Sequence, residues 1–157
     1  MREFDLSPFV GAVPIAFGMT RDDVHAILDL PDASSSIWDK SGTCDHWHAS
    51  RMNVGYDNSG IVKHIGFGPG GVSLRILGSE LWTDANQPDP NPTLLKLDPD
   101  PLERVGFLVF TRIGITTTGY HDGDDSQRAI TVYPRGTYDD FLKKATSPDL
   151  SQYKQQT

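Results

Sequence analysis

The chain has 157 residues and a mass of 17.3 kDa, room for one domain or two very small lobes sharing a core. Its 37% hydrophobic and 22% charged residues exclude a mostly disordered chain, and no run approaches the roughly 20 apolar residues of a membrane span. Fourteen Lys and Arg against 21 Asp and Glu leave a net charge of −7, which argues against nucleic acid as a partner and suits a basic protein surface.

Along the chain, Val13-Pro14-Ile15-Ala16-Phe17 reads as a short edge strand, the place where a proline is tolerated. Thr20 then caps a helix with Asp23 at its third position, and Asp22 and Asp23 lie where the helix dipole favours acids. Val24, Ile27 and Leu28 share the apolar face, and Asp29 and Pro31 end the helix. Ser36-Ile37-Trp38-Asp39 and Asp45-His46-Trp47-His48 supply strand material ahead of a hairpin. That hairpin pairs Arg51-Met52-Asn53-Val54-Gly55-Tyr56 with Ile61-Val62-Lys63-His64-Ile65-Gly66-Phe67 across Asp57-Asn58-Ser59-Gly60. Ile61, Ile65 and Phe67 share one face, with Lys63 the exception. Gly68-Pro69-Gly70-Gly71 marks a boundary.

Beyond it, Leu74-Arg75-Ile76-Leu77 is strand-like, and Thr93-Leu94-Leu95-Lys96-Leu97 is a short helix after a loop carrying Pro88, Pro90 and Pro92. Gly106-Phe107-Leu108-Val109-Phe110, Ile113-Gly114-Ile115-Thr116-Thr117-Thr118 and Ala129-Ile130-Thr131-Val132-Tyr133 are rich in β-branched and aromatic residues and read as strands. A short capped helix over 137–142 and a fraying polar tail complete the chain. The two halves rhyme at a period of about 65 to 70 residues. The expected fold is therefore α+β: two degenerate tandem repeats, residues 10–68 and 72–145, each a short helix on an antiparallel sheet, followed by the tail 146–157.

Ile15-Ala16-Phe17-Gly18-Met19-Thr20-Arg21-Asp22-Asp23-Val24 and Leu28-Asp29-Leu30-Pro31, followed by Val54-Gly55-Tyr56-Asp57 and Val62-Lys63-His64-Ile65-Gly66-Phe67, resemble the opening of a broad bacterial group. It includes the outer-membrane-assembly lipoproteins of the SmpA/OmlA kind, the tandem-repeat β-lactamase inhibitor proteins and small cytoplasmic proteins that look like immunity partners of toxins. The resemblance covers residues 13–68 well and the second half loosely. It implies a doubled helix-on-sheet unit whose work is binding other proteins. Asp29 departs from the group's usual glycine, and aspartate tolerates the left-handed backbone better than most residues. Met1-Arg2-Glu3-Phe4-Asp5 has no basic or long apolar leader, and the single Cys44 cannot close an internal disulfide, so a cytoplasmic, immunity-like protein is the expectation.

The chemistry-bearing residues point the same way. His46 and His48, two apart, would share a strand face as metal ligands do, yet no second cysteine or histidine pair completes a zinc set. His121-Asp122-Gly123-Asp124-Asp125 lacks the spacing and closing glutamate of a calcium loop, and Gly66-Phe67-Gly68-Pro69-Gly70-Gly71 lacks the lysine of a phosphate loop. No catalytic set, metal or cofactor is expected. The expected partner-binding residues are Trp82, Asp84 and Asp89 on one acidic loop and Tyr120, Asp122, Asp124 and Asp125 on the other, with both aromatics exposed. The function expected is an immunity protein that neutralises a cognate bacterial toxin by stoichiometric binding, with neither membrane nor nucleic acid as partner. Two other readings are a small metal- or ligand-binding enzyme using the His46/His48 strand and a structural subunit of a bacterial assembly.

Overall fold

The computed structural model describes residues 2–156, a mixed α+β protein built mostly of strands. The first series of elements is β1 (Arg2–Ser7), β2 (Gly11–Val13), β3 (Ile15–Ala16), α1 (Arg21–Leu28), β4 (Ala33–Ser36), β5 (Gly42–Trp47), β6 (Met52–Asp57) and β7 (Val62–Phe67). There follow β8 (Val72–Ile76), β9 (Ser79–Trp82), α2 (Asn91–Leu97), β10 (Leu102–Arg104), β11 (Phe107–Phe110), β12 (Ile115–Thr118), β13 (Ala129–Val132) and α3 (Asp139–Leu142). They form a five-stranded sheet in the order β3-β2-β1-β8-β9 and an eight-stranded sheet in the order β10-β11-β12-β13-β7-β6-β5-β4. The larger sheet is antiparallel throughout, and its two four-strand meanders meet where Ile130 of β13 stands opposite Phe67 of β7. Gly68-Pro69-Gly70-Gly71 carries the chain from β7 into β8, which pairs parallel to β1. Gly71 lies so close to the Ser50 carbonyl that no side chain fits there.

Local chemistry explains the first half. The Thr20 hydroxyl accepts from Asp23 N at 3.2 Å and Thr20 N donates to the Asp23 carboxylate at 3.1 Å, a reciprocal cap. Asp29 ends the helix at φ +69° and ψ −177°, an extended positive-φ conformation that glycine favours and aspartate adopts under strain. Val24 and Leu28 are buried as expected, whereas Ile27 is exposed, because the helix is short and only one stripe meets the sheet. Lys63 departs from alternation for a different reason: the ladder slips between Gly55 and Tyr56, so Val62 and Ile65 both face the core and the bulged Lys63 reaches the Ser41 hydroxyl at 2.6 Å.

One apolar cluster joins the two sheets, with Phe4 of β1 against Phe67 of β7 at a ring separation of 5.2 Å. Strand β1 was not expected from the sequence, because its alternation carries just two inward apolar residues, Phe4 and Leu6. Nor is the described part of the tail loose as far as Tyr153; the expected fraying of Thr157 lies outside the described residues. Tyr153 is buried, accepts from Asn91 Nδ2 at 2.9 Å and donates to the Asp89 carboxylate at 2.6 Å. A polar composition hid a single aromatic anchor. Replacing Tyr153 with phenylalanine is expected to cost about 1–2 kcal/mol, since buried Asn91 and a charged acceptor lose their partner. A urea midpoint unchanged from that of the unsubstituted protein would show that the hydroxyl's two bonds add nothing.

Candidate interaction surface

The face of the large sheet turned away from the core is set by strand parity. On β5, Asp45 and Trp47 point inward, so Cys44 and His46 point out. Across the register, Cys44 stands in a row with Gly55 and His64, and His46 in a row with Asn53, Gly66 and Thr131. The β10–β11 end of this face is covered. Phe141 of α3 packs on Phe107 at 5.6 Å, Arg104 lies 4.7 Å over the Phe141 ring, and Tyr138 stacks edge-on to Tyr133 at 4.5 Å. The β4–β6 end carries a cleft of about 660 Å³ lined by Ser35, Ile37, Trp38, Cys44, Lys63, His64 and Tyr138. Trp38, on the turn from β4 to β5, is 92% exposed, the most exposed large apolar side chain among the described residues.

The cleft floor is chemically quiet. The His64 ring lies over Gly55, where a methyl group would collide with it, and burial, aided by Lys63 and His46, pushes its pKa down to about 4. It is therefore neutral at physiological pH. Burial pushes the Cys44 thiol up to about 11, so it is not a ready nucleophile.

Behind the sheet, Asp45 is the centre of a buried charge network. Its side chain is fully buried and takes bonds from Arg21 Nη2 at 2.6 Å, Arg21 Nε at 3.0 Å and Ser34 Oγ at 2.6 Å, with His25 Nε2 at 2.7 Å. Burial alone would raise its pKa, but the hydrogen bonds from Arg21, Ser34 and His25 more than reverse this and hold the carboxyl well below the usual range. Serine, histidine and aspartate meet here, yet Ser34 and His25 each bind the carboxylate from different sides. A catalytic triad needs the histidine between the other two. The arrangement instead clasps α1 to β4 and β5.

The sequence-picked residues divide. Trp82, expected to be exposed, is 1% exposed, with its indole N–H donating to Pro88 O at 3.0 Å; it plugs the core under the proline loop. Tyr120 is likewise buried, under Arg128 at 5.2 Å, and burial raises its hydroxyl pKa to about 12. Both lie beside turns, but each large ring was needed to close an edge of the core. Asp84, Asp122, Asp124 and Asp125 are exposed and Asp89 is half-buried. Asp89 and the Asp122 loop come together at the tail, where Tyr153 holds Asp89 and Gln152 Nε2 donates to His121 O at 2.9 Å. Asp84 stands apart, beside Ser73 at 3.3 Å. The loop acids also serve their own backbone: Asp122 accepts from Asp124 N, Asp124 from Ser126 N, and Asp125 pairs with Arg128 at 2.9 Å.

His46 meets Ser35 Oγ at 3.0 Å, while His48 lies beyond the end of β5 and presents its backbone N–H to Asp32 at 2.7 Å. Among the described residues no group of three His, Cys, Asp or Glu side chains is placed to hold a metal, and no helix is long and apolar enough to cross a membrane. Two features escaped the sequence reading. Asp45 shares inward parity with Trp47, which marks a buried acid needing Arg21 and His25 on the helix opposite. Trp38 follows Ile37 and, before it, a run of small residues, Ala33-Ser34-Ser35-Ser36, that offers little apolar surface to bury it. Comparison of the chain with protein-family models, with curated proteins and with solved structures found no match.

Proposed function

We infer that this chain is a cytoplasmic immunity-type protein that neutralises a basic bacterial toxin by stoichiometric binding, and that its halves are degenerate helix-plus-sheet repeats. The observation that carries the binding reading is Trp38, 92% exposed at the rim of the cleft on the uncovered end of the large sheet. Tryptophan is enriched among residues that dominate binding energy, and this one stands beside a cleft on an uncovered sheet face. The net charge of −7 supports a basic partner through steering and through the penalty on wrong pairings. The order helix then four antiparallel strands, met once at α1 with β4–β7 and again at α2 with β10–β13, supports the repeat.

The test is capture of the tagged protein's partner from its native lysate, with mass spectrometry and a size check. The expected result is one basic, toxin-sized protein held one-to-one, whose affinity falls at least tenfold, about 1.4 kcal/mol, on Trp38→Ala with no change in unfolding midpoint. Replacing Asp122, Asp124 and Asp125 together by asparagine is the matching test of the acidic loop. A clean monomer that captures nothing, or a partner indifferent to both variants, defeats the reading.

A further inference from the structure

We propose that β4 accepts an extended segment of a basic partner protein as a ninth strand of the large sheet, cationic side chains at the segment's two ends meeting Asp32 and Asp39. The proposal rests on the protein-binding reading and specifies its mode. Among the described residues β4 is the end of the eight-stranded sheet and pairs with β5 alone. Ile37 N donates to Gly42 O at 2.9 Å in the register of that pair, so Ser35 and Ala33 face β5 with it. The N–H and C=O groups of Ser34 and Ser36 are thereby turned outward.

Exposed strand edges are normally blunted by an inward charge, a lysine, a proline or a covering segment. The far edge of the same sheet is covered, since Glu103 of β10 and Thr146 exchange two backbone hydrogen bonds at 2.8 and 2.9 Å. Strand β4 has none of these devices: Ala33-Ser34-Ser35-Ser36 is exposed throughout and carries no charge. Its flanks are not neutral. Asp32 is held by His48 N at 2.7 Å at one end, and Asp39 by Ser41 N at 3.0 Å at the other, beside exposed Trp38.

Those flanks select the occupant. A second copy pairing antiparallel about a two-fold would bring Asp32 of each chain against the partner's Asp39, a like-charge contact made twice. A segment with lysine or arginine near both ends relieves both carboxylates, and Trp38 offers its ring face to one of those cations or to an aliphatic side chain. Main-chain bonds would supply affinity and the flanking charges selectivity, the usual division in strand addition.

The experiment titrates the full ¹⁵N-labelled chain with a synthetic decapeptide of alternating arginine and valine. The expected result is amide shifts centred on residues 32–38 and at least tenfold slower hydrogen exchange at Ser34 and Ser36. A peptide of the same charge methylated on alternate backbone nitrogens, and a glutamate–valine peptide, are each expected to bind at least tenfold more weakly. So is the arginine peptide to Ser36→Pro, which removes an outward N–H where an edge strand tolerates proline. Equal binding of the methylated peptide, absence of shifts at β4, or a free chain that dimerises through this edge would each overturn the proposal. Should Ser36→Pro unfold, the methylated peptide against the unsubstituted protein decides alone. A natural basic partner held equally by the unsubstituted chain and by Ser36→Pro ends the strand-addition proposal and leaves the binding reading standing.

Discussion

Asp45→Ala is expected to lower folding stability by about 3 kcal/mol, the low end of what breaking one side of a buried ion pair costs. The low end applies because Arg21 is 39% exposed and can turn to water once the carboxylate is gone, whereas His25 and Ser34 lose their partner in a tighter place. The loss is structural as well as electrostatic, since Asp45 is where α1, β4 and β5 converge, through Arg21 and His25 from the helix and Ser34 from the edge strand. Urea midpoints should therefore fall sharply in Asp45→Ala and by a smaller amount in Ser34→Ala. The pH dependence follows from the depressed carboxyl pKa. Its folded value lies below the unfolded value of about 3.9, so the stabilisation is fully present above about pH 4 and is lost as pH falls further. If Asp45→Ala unfolds at the urea concentration of the unsubstituted protein, Asp45 does not hold α1 to β4 and β5.

How much of this was legible in advance depends on the range of the interaction. The cap at Thr20, the end of α1 at Asp29, the hairpin around Asp57-Asn58-Ser59-Gly60 and the strands β11, β12 and β13 are written in neighbouring residues, and each is found within about two residues of where it is expected, whereas the short β9 and β10 carry no such local signal. Contacts made across many positions were not. The parallel pairing of β1 with β8 joins residues some seventy positions apart, and neither strand alone predicts it. Tyr153 anchors a polar tail through Asn91, 62 positions away in the chain, and composition cannot register one such contact. The aromatics show the limit most clearly. Trp82 and Tyr120 were expected at the surface because turns flank them, yet Trp82 fills the core and Trp38, also beside a turn, does not. What separates them is whether a sheet lies behind the ring, a property of topology.

The second large effect is expected at His64. Its folded pKa of about 4 lies below the value near 6.5 of an unfolded histidine, because burial disfavours the charged ring. The sign is that of a base kept neutral: between pH 6.5 and 4 the unfolded chain binds a proton that the folded chain refuses. Stability is thus complete above about pH 6.5, falls as pH drops toward 4 and loses up to about 3 kcal/mol over that window. That window lies above the one belonging to Asp45, so the two contributions separate on one acid titration. His64→Phe should flatten the slope between pH 6.5 and 4 while leaving the loss below pH 4 in place. Gly55→Ala is the complementary change, since a methyl there collides with the ring and drives it toward the cleft. It should destabilise at pH 7.5 and, by wetting His64, raise the ring's pKa and shrink the same slope, both readable from urea midpoints and the ring C–H shifts. Identical acid slopes in His64→Phe and the unsubstituted protein would mean that the ring is hydrated in the folded state. If the slope does belong to His64, any partner seated in the cleft beside Trp38 meets a neutral ring down to about pH 4.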